Sequence, residues 1–375
     1  MNKKQIEWPT ALFLVITPII AVVGTPLYIM QYGFQWPIFL FALVFAAATN
    51  LSITAGYHRL FSHKSYDAHP IAKAIFLLIG ASAFQGSALK WSSDHRRHHT
   101  HIDGEKDPYN INEGFWYAHM GWLFFKESVS QKIHAPDLEK DWMVKFQNDY
   151  YAPLAIFMGF IVPMLIGWAM GSVLGGFLII AVLRIVLTQH STFFVNSLCH
   201  TLGKQTYSKE ISARDSIFVA FLTHGEGYHN FHHKFQIDYR NGIKWYHWDP
   251  TKWTIKTLNV MGLAYKLRQI SNAEILKARL AAEEAELKLQ GYADERMEMV
   301  KEKILAAQAK IKKLAEDYEQ FKREAAQKRA DLKEAYELKK EAYELKLLEI
   351  RHEIEVAQLE FKVGMKQWRV YTRAI

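Results

Sequence analysis

Thr223-His-Gly-Glu-Gly-Tyr-His229-Asn-Phe-His232-His233-Lys-Phe235 carries three imidazoles at i, i+3 and i+4. On a helix those offsets fall on one face, so the three rings can be offered to one place. Working outward, His95-Arg-Arg-His98-His99 repeats the spacing, and His58-Arg-Leu-Phe-Ser-His63 adds two more rings. Of the 17 histidines in the 375 residues, eight lie in these clusters. A ninth comes from Asn196-Ser-Leu-Cys-His200, where Asn196 and His200 share the i, i+4 spacing. One ion takes about four to six ligands, so nine imidazoles imply two metal ions. Imidazole suits iron, zinc, copper and nickel alike, and ligand type alone does not choose among them. Asp94 beside His95, and Glu226 near His229, are the acids placed to orient ligand N–H groups. The remaining histidines, His101 and His134 among them, are read as non-ligands.

The clusters sit at the ends of long apolar runs. Residues 8–57 and 150–183 contain no Lys, Arg, Asp or Glu. They read as four membrane-crossing helices in two hairpins, at about 9–30, 38–56, 151–170 and 172–195. The turns at 31–37 and 170–176 carry no positive charge, whereas Lys3, Lys4, Arg59 and Lys64 flank the other ends. That asymmetry predicts a cytoplasmic face holding every cluster and both termini. Residues 71–89 are apolar but interrupted by Gln85-Gly-Ser87, which predicts a re-entrant or interfacial helix. Arg184 and Gln189 are costly within the fourth span unless they face protein. Trp8, Trp36 and Trp168 are placed to anchor the spans at the interface.

The net charge of +8 fits a cytoplasmic membrane face, and no nucleic-acid partner is expected. A single cysteine, Cys199, excludes an intrachain disulfide framework and a cysteine-based metal site, and reads as a packing residue. The first apolar run lacks a small-residue cleavage site and reads as a retained span, which fits a bacterial inner membrane. Beyond about residue 271 the chain becomes a dense alternation of Glu, Lys, Ala and Leu. Glu334-Ala-Tyr-Glu-Leu-Lys-Lys340 is followed at once by Glu341-Ala-Tyr-Glu-Leu-Lys-Leu347, a heptad repeat. The expectation is a membrane domain over 1–270 and a long helical coiled-coil tail over 271–375, interrupted at Gly291 and able to self-associate.

The box forms His58-Arg-Leu-Phe-Ser-His63, His95-Arg-Arg-His98-His99 and His229-Asn-Phe-His232-His233 resemble those of the membrane fatty acyl-CoA desaturases of the stearoyl-CoA type. Asn196 and His200 match additional metal-site positions of that family, and the resemblance covers roughly residues 8–260. It implies an all-α integral membrane protein whose cytosolic helical cap closes a di-iron centre held by His58, His63, His95, His98, His99, Asn196, His200, His229, His232 and His233. Two ferrous ions, O2 and two electrons would then remove two hydrogens from a saturated acyl chain, most commonly between C9 and C10. Trp91, Phe193 and Phe194 are candidates for the wall of the acyl tunnel. Electrons are expected from a separate ferredoxin-, rubredoxin- or cytochrome b5-like donor and its reductase. Vertebrate members hold the CoA head with an arginine where this chain has Ser93, so CoA, acyl carrier protein and phospholipid all stay open as carriers. Two other readings stand beside this one. A di-iron hydroxylase of alkanes or lipids shares similar clusters, although Arg59 and Asn230 favour the desaturase group. A metal-binding or transport protein would instead place ionisable groups in mid-span.

Overall fold

The computed structural model describes residues 5–126, 135–292, 294–331 and 333–374, with side chains at 330–338 also excluded. Lys3, Lys4, His134 and most of the first heptad of the tail repeat lie outside the described residues. The chain divides into two compact units. One comprises Met1–Thr206 and Glu210–Ile270, the other Tyr207–Lys209 and Ser271–Ile375.

The first unit is built on four helices long and apolar enough to cross a membrane: α1 Trp8–Tyr32, α2 Trp36–Ser62, and later Tyr151–Ala169 and Val173–Thr201. Even the shortest exceeds about 28 Å at ~1.5 Å per residue, close to a ~30 Å hydrocarbon core. Leu12, Ile16, Ile19 and Val23 on α1, like Phe157 and Leu165 on the third span, are exposed apolar side chains suited to lipid. At the uncharged end, Tyr28 Oη lies 2.8 Å from both Gln35 Oε1 and Ser172 Oγ, joining the two hairpin turns. Gly33 closes α1 with φ +76°, a conformation that favours glycine.

Both box-bearing spans run further than expected. The second continues from Ser52 to Ser62 as π-helix, and the fourth reaches Thr201. The first box therefore lies on the span itself. The wider winding explains its spacing. Five residues on an α-helix turn the side chain by about 140°. Here the His63 N–H instead donates to the His58 carbonyl at 3.1 Å, an i→i+5 bond that stacks the two histidines on one side.

After β1 (Asp67–Ala68), α3 covers only Pro70–Ala81, too short to cross. A turn with Phe84 and Gly86 at positive φ leads to α4, Ala88–His101, capped by Ser87 and carrying the second box. Next come α5 (Phe115–His119), α6 (Trp142–Asp149) and the two remaining spans, α7 (Tyr151–Ala169) and α8 (Val173–Thr201). Helices α9 (Ile217–Leu222), α10 (His229–Lys234) and α11 (Pro250–Val260) follow, and β2 (Ala264–Tyr265) pairs antiparallel with β1. Arg184 and Gln189 do face protein. Arg184 donates to the carbonyls of Ser82 (2.6 Å) and Gly159 (3.2 Å) and lies over the Phe45 ring, while Gln189 donates to the Phe84 carbonyl.

The tail does not run on as one helix. Ser271 and Glu274 form a capping box that starts α12 (Asn272–Leu289), and Gly291 at φ +79° ends it. Helices α13 (Glu295–Asp331) and α14 (Lys333–Tyr371) then lie antiparallel. Phe321 meets Tyr343 at 5.7 Å, Arg351 donates to Tyr318 Oη at 3.1 Å, and Gly364 passes against Ile304. Leu280, Leu287, Met297, Ile304 and Trp368 make the apolar core of this unit. The tail is helical and interrupted at Gly291 as expected, and its two longest helices pair with one another.

In the second hairpin, Gly167 and Gly176 bring α7 and α8 into backbone contact, and a Cβ at Gly167 would collide with the backbone of Gly176 and Ser172. Gly167→Val is expected to destabilise the protein by about 1–3 kcal/mol through overpacking, whereas Val173→Ala on the exposed side should be near neutral. Thermal unfolding of the detergent-purified protein checks this, and equal midpoints for the two variants would contradict the close approach.

Candidate metal centre

The fold gathers all nine imidazoles into two groups. One contains His58, His63, His95, His99 and His232, the other His98, His200, His229 and His233, with the ligand atoms of each group within 4.8 Å of one another. The second and third boxes are therefore each divided. On α4, His95 and His99 are one turn apart and join the first group, while His98, about 100° round from His99, joins the second. On α10, His229 and His233 join the second group and His232 the first. A helix face wide enough to reach both groups is what H-x-x-H-H supplies.

The Nε2 atoms converge in pairs. His63 and His95 are 2.8 Å apart, His58 and His232 2.9 Å, His99 and His232 3.0 Å, His229 and His233 3.1 Å, and His98 and His233 3.3 Å. Several of these rings have an outer nitrogen engaged elsewhere. His58 Nδ1 lies 2.9 Å from Glu226, His98 Nδ1 2.9 Å from Asp107, His95 Nδ1 3.2 Å from Tyr109 Oη and His200 Nδ1 2.6 Å from Ser212 Oγ. With the proton on Nδ1, Nε2 lone pairs point at one another, an arrangement that is repulsive without a cation. Metal–nitrogen bonds of about 2.0–2.1 Å put neighbouring ligand atoms roughly 3 Å apart, so the donor set fits a metal in each group. Burial, followed by repulsion from neighbouring histidines, holds His63, His95, His99, His229, His232 and His233 well below the ordinary histidine pKa. They are neutral at physiological pH, as ligation requires.

The orienting acids are only partly those expected. Glu226 holds His58 of the first box rather than its sequence neighbour His229. Arg59 fixes it in turn, binding Glu226 at 2.8 Å and Asp249 at 3.0 Å in a fully buried triad, and Asn241 donates to its other oxygen at 2.6 Å. Burial raises the Glu226 pKa, but the Arg59 and His58 charges and their hydrogen bonds together outweigh it and bring the value down to about 2. Asp94 makes ion pairs with Lys90 (2.9 Å) and Arg97 (2.6 Å) on its own helix. Residues Asp103, Asp107 and Tyr109, all in the loop after α4, take up the orienting positions. Asp107 accepts from His98, Tyr109 meets His95, and Asp103, at φ +60°, accepts from Ser212, which in turn holds His200. Three ligands are thus oriented through one loop. Its Asp-Gly and Asp-Pro pairs mark turns in the sequence, but nothing there says which imidazole each would meet. Asn230 of the third box donates to the Ala213 carbonyl and anchors α10.

A cavity of about 430 Å³ opens onto both groups, lined by His58 and His95 of the first and by His98 and His229 of the second. Asn196, one turn before His200 on α8, lines it too, as do Trp91 and Phe193. Phe194 packs at 5.0 Å on His119 and is not among the lining residues. Phe13, Leu14, Ile53 and Phe84 make the apolar remainder.

These features define an integral membrane protein in which two histidine groups, each able to hold a metal ion, lie on the wall of a largely apolar cavity. Residues 34–266 match the family model described as fatty acid desaturase, and the chain belongs to that family. It is 41% identical over 280 residues to a probable acyl-CoA desaturase of Schizosaccharomyces pombe, covering 73% of this chain and 57% of that protein. It is 40% identical over 253 residues to acyl-CoA desaturase 1 of Saccharomyces cerevisiae, covering 67% and 50%. It is 36% identical over 252 residues to human stearoyl-CoA desaturase, covering 65% and 69%. The chain spans only about half the length of the two yeast relatives.

Replacing Asp107 with Ala should lower metal affinity by about 10–100-fold, because His98 loses the acceptor that fixes its tautomer. Metal retained after dialysis against graded chelator measures this. Asp94→Asn in the same assay separates the two acids, since an equal loss there would put Asp94 among the orienting groups.

Proposed function

We propose that the chain is an O2-dependent acyl-CoA desaturase that introduces a cis double bond into a saturated acyl chain, with C9–C10 the expected position. The observation that carries this reading is the pair of histidine groups, five and four, set in the wall of an apolar cavity of about 430 Å³. In it His58, His63, His95, His99 and His232 hold one iron, and His98, His200, His229 and His233, with Asn196 alongside, hold the other. The iron pair, when bound and reduced, would supply activation of O2, the oxidant needed to take hydrogen from unactivated methylenes. The overall balance is one saturated chain, O2, two electrons and two protons giving one alkene and two waters. The printed names of the curated relatives support the CoA carrier.

The residues of this chain do the positioning. Glu226, Asp107, Tyr109 and Ser212 fix imidazole orientations from outside the groups. Trp91, stacked 5.0 Å from His95, and Phe193 form the wall nearest the histidines and exclude water from the reacting bond. Successive methylenes are chemically alike, so shape must select the bond. Electrons come from a separate donor protein. The uncharged hairpin turns favour a cytoplasmic histidine face, since Arg59 and Lys64 lie at the opposite ends of the spans.

Expression in a host lacking its own desaturase, followed by mass analysis of fatty acids, tests the reading. A new double bond is expected, abolished in His98→Ala and His232→Ala while membrane insertion persists. A hydroxylated product would assign the chain to the lipid hydroxylases, and an unchanged lipid profile with a suitable donor present would overturn the reading.

A further inference from the structure

The outward face of α14 has no part in the metal site or in the core of its own unit. Its inward face, with Ile350, Ala357, Gly364 and Trp368, is buried. The opposite face carries Leu345, Leu348, Val356, Leu359, Val363 and Val370, which are between 40% and 68% exposed. From residue 345 five of these six side chains follow a heptad, with Leu348 beside it at g. Val356, Val363 and Val370 fall at the a positions, and Leu345 and Leu359 at d. Glu349 fills the remaining a, and His352 and Lys366 the remaining d. Apolar side chains recurring at a and d are the seam of a coiled coil. A single exposed side chain of this kind needs no explanation, but a stripe six residues long does.

We propose that this face is a self-docking surface, on which α14 pairs antiparallel with α14 of a second copy about a two-fold axis near Ala357 and Gln358. The charges select both the partner and its direction. A parallel, in-register pair would set Glu349 against Glu349, Lys366 against Lys366, and Glu355 against Glu360 of the other copy. The antiparallel pair sets Glu349 against Lys366 and Glu355 against Lys362, each contact occurring twice by symmetry. Leu345 then meets Val370, and Val356 meets Leu359. Glu353 opposite Glu360 is the one like-charge contact left, and it falls at the solvent-facing rim. Within one chain Glu349 pairs with Lys346 at 2.7 Å, both exposed, which leaves its outward side open to a second cation. The overlap runs from Glu344 to Tyr371, about 40 Å of helix. A lipid surface fits this face poorly, because Glu349 interrupts the stripe and Glu353 and Glu360 line one flank, where anionic headgroups would repel them.

The test uses the full chain in detergent and in vesicles of phosphatidylcholine and phosphatidylglycerol, and reads mass and cross-linking rather than activity. Cys199 is fully buried and gives no competing thiol. Leu345→Cys and Val370→Cys alone should form no cross-linked dimer, because antiparallel packing puts each thiol far from its own copy. The double variant should cross-link readily. Light scattering should give a dimer mass, with Glu349→Lys weakening association by at least about tenfold and Glu349→Lys/Lys366→Glu restoring it. A monomer mass for the wild type overturns the proposal. Cross-linking of Leu345→Cys alone overturns the antiparallel direction. A nitroxide at position 359 reached by lipid-soluble oxygen rather than by a water-soluble nickel chelate would assign the face to the membrane instead.

Discussion

Nine imidazoles, seven buried and two partly so, eight of them with Nε2 atoms 2.8–3.3 Å from that of another ring, are the constraint on which the membrane unit depends. Neutral rings facing lone pair to lone pair gain nothing from one another, and burial and neighbouring rings oppose protonation of His63, His95, His99, His229, His232 and His233. The surrounding architecture therefore has to hold them in position before any cation arrives. The spans do this coarsely by bringing the end of α2 beside the end of α8. The shell of orienting groups does it finely. Arg59, Glu226 and Asp249 form a triad with almost no solvent contact, and removing one partner of such a buried set costs about 3–5 kcal/mol because a charge is left alone. The Arg in the first box thus supports the His beside it through an acid 167 residues further along.

The same logic explains why polar and charged groups can sit at membrane depth here. Arg184 satisfies its guanidinium with carbonyls from α7 and from the turn after α3, and stacks on Phe45. Tyr28 spends its hydroxyl on the two uncharged turns. Each such contact ties one hairpin to the other, and together they define where the box-bearing ends must meet. Close backbone approach at Gly167 and Gly176 adds a steric tie where no polar one is available.

Much of this was legible in the residues, and what was not has identifiable causes. Charge-free runs marked the spans, because only length and apolarity are needed to cross lipid. The i, i+3, i+4 spacing marked helical boxes, but one-face reasoning hid the division of each box between two groups, which depends on where neighbouring helices stand. The five-residue gap between His58 and His63 hid a π-helix, whose hydrogen bonds leave no composition signal. Glu226 was visible as an acid near a box, yet its partner proved to be His58, since sequence proximity does not report which ring the folded chain brings within 3 Å. Asp103, Asp107, Tyr109 and Ser212 were invisible for the same reason. In the tail, the heptads were plain, but a heptad face does not say whether its partner is the same chain or another. The antiparallel pairing of α13 with α14 uses one face and leaves the other.

The cavity wall shows how a partly polar lining could serve the alkyl chain of the proposed substrate. Gln85 donates to Thr192 at 3.0 Å and accepts from Trp91 Nε1 at 3.3 Å. Asn50 donates to the Ala46 carbonyl, Gln189 to that of Phe84, and Thr54 shares a 2.7 Å bond with Thr251. These groups spend their hydrogen bonds on protein, so methylenes packed against them displace few partners that would otherwise be lost to water. Where such groups line it, the wall offers the proposed saturated chain contact area rather than a polar anchor. Burial of one methylene is worth about 0.8 kcal/mol, a few-fold in affinity, and it is nearly the same for each. Affinity along the chain therefore cannot choose a bond. The choice must come from where the cavity stops the chain relative to the two histidine groups, which makes the rigid placement of those groups a determinant of specificity as much as of metal binding.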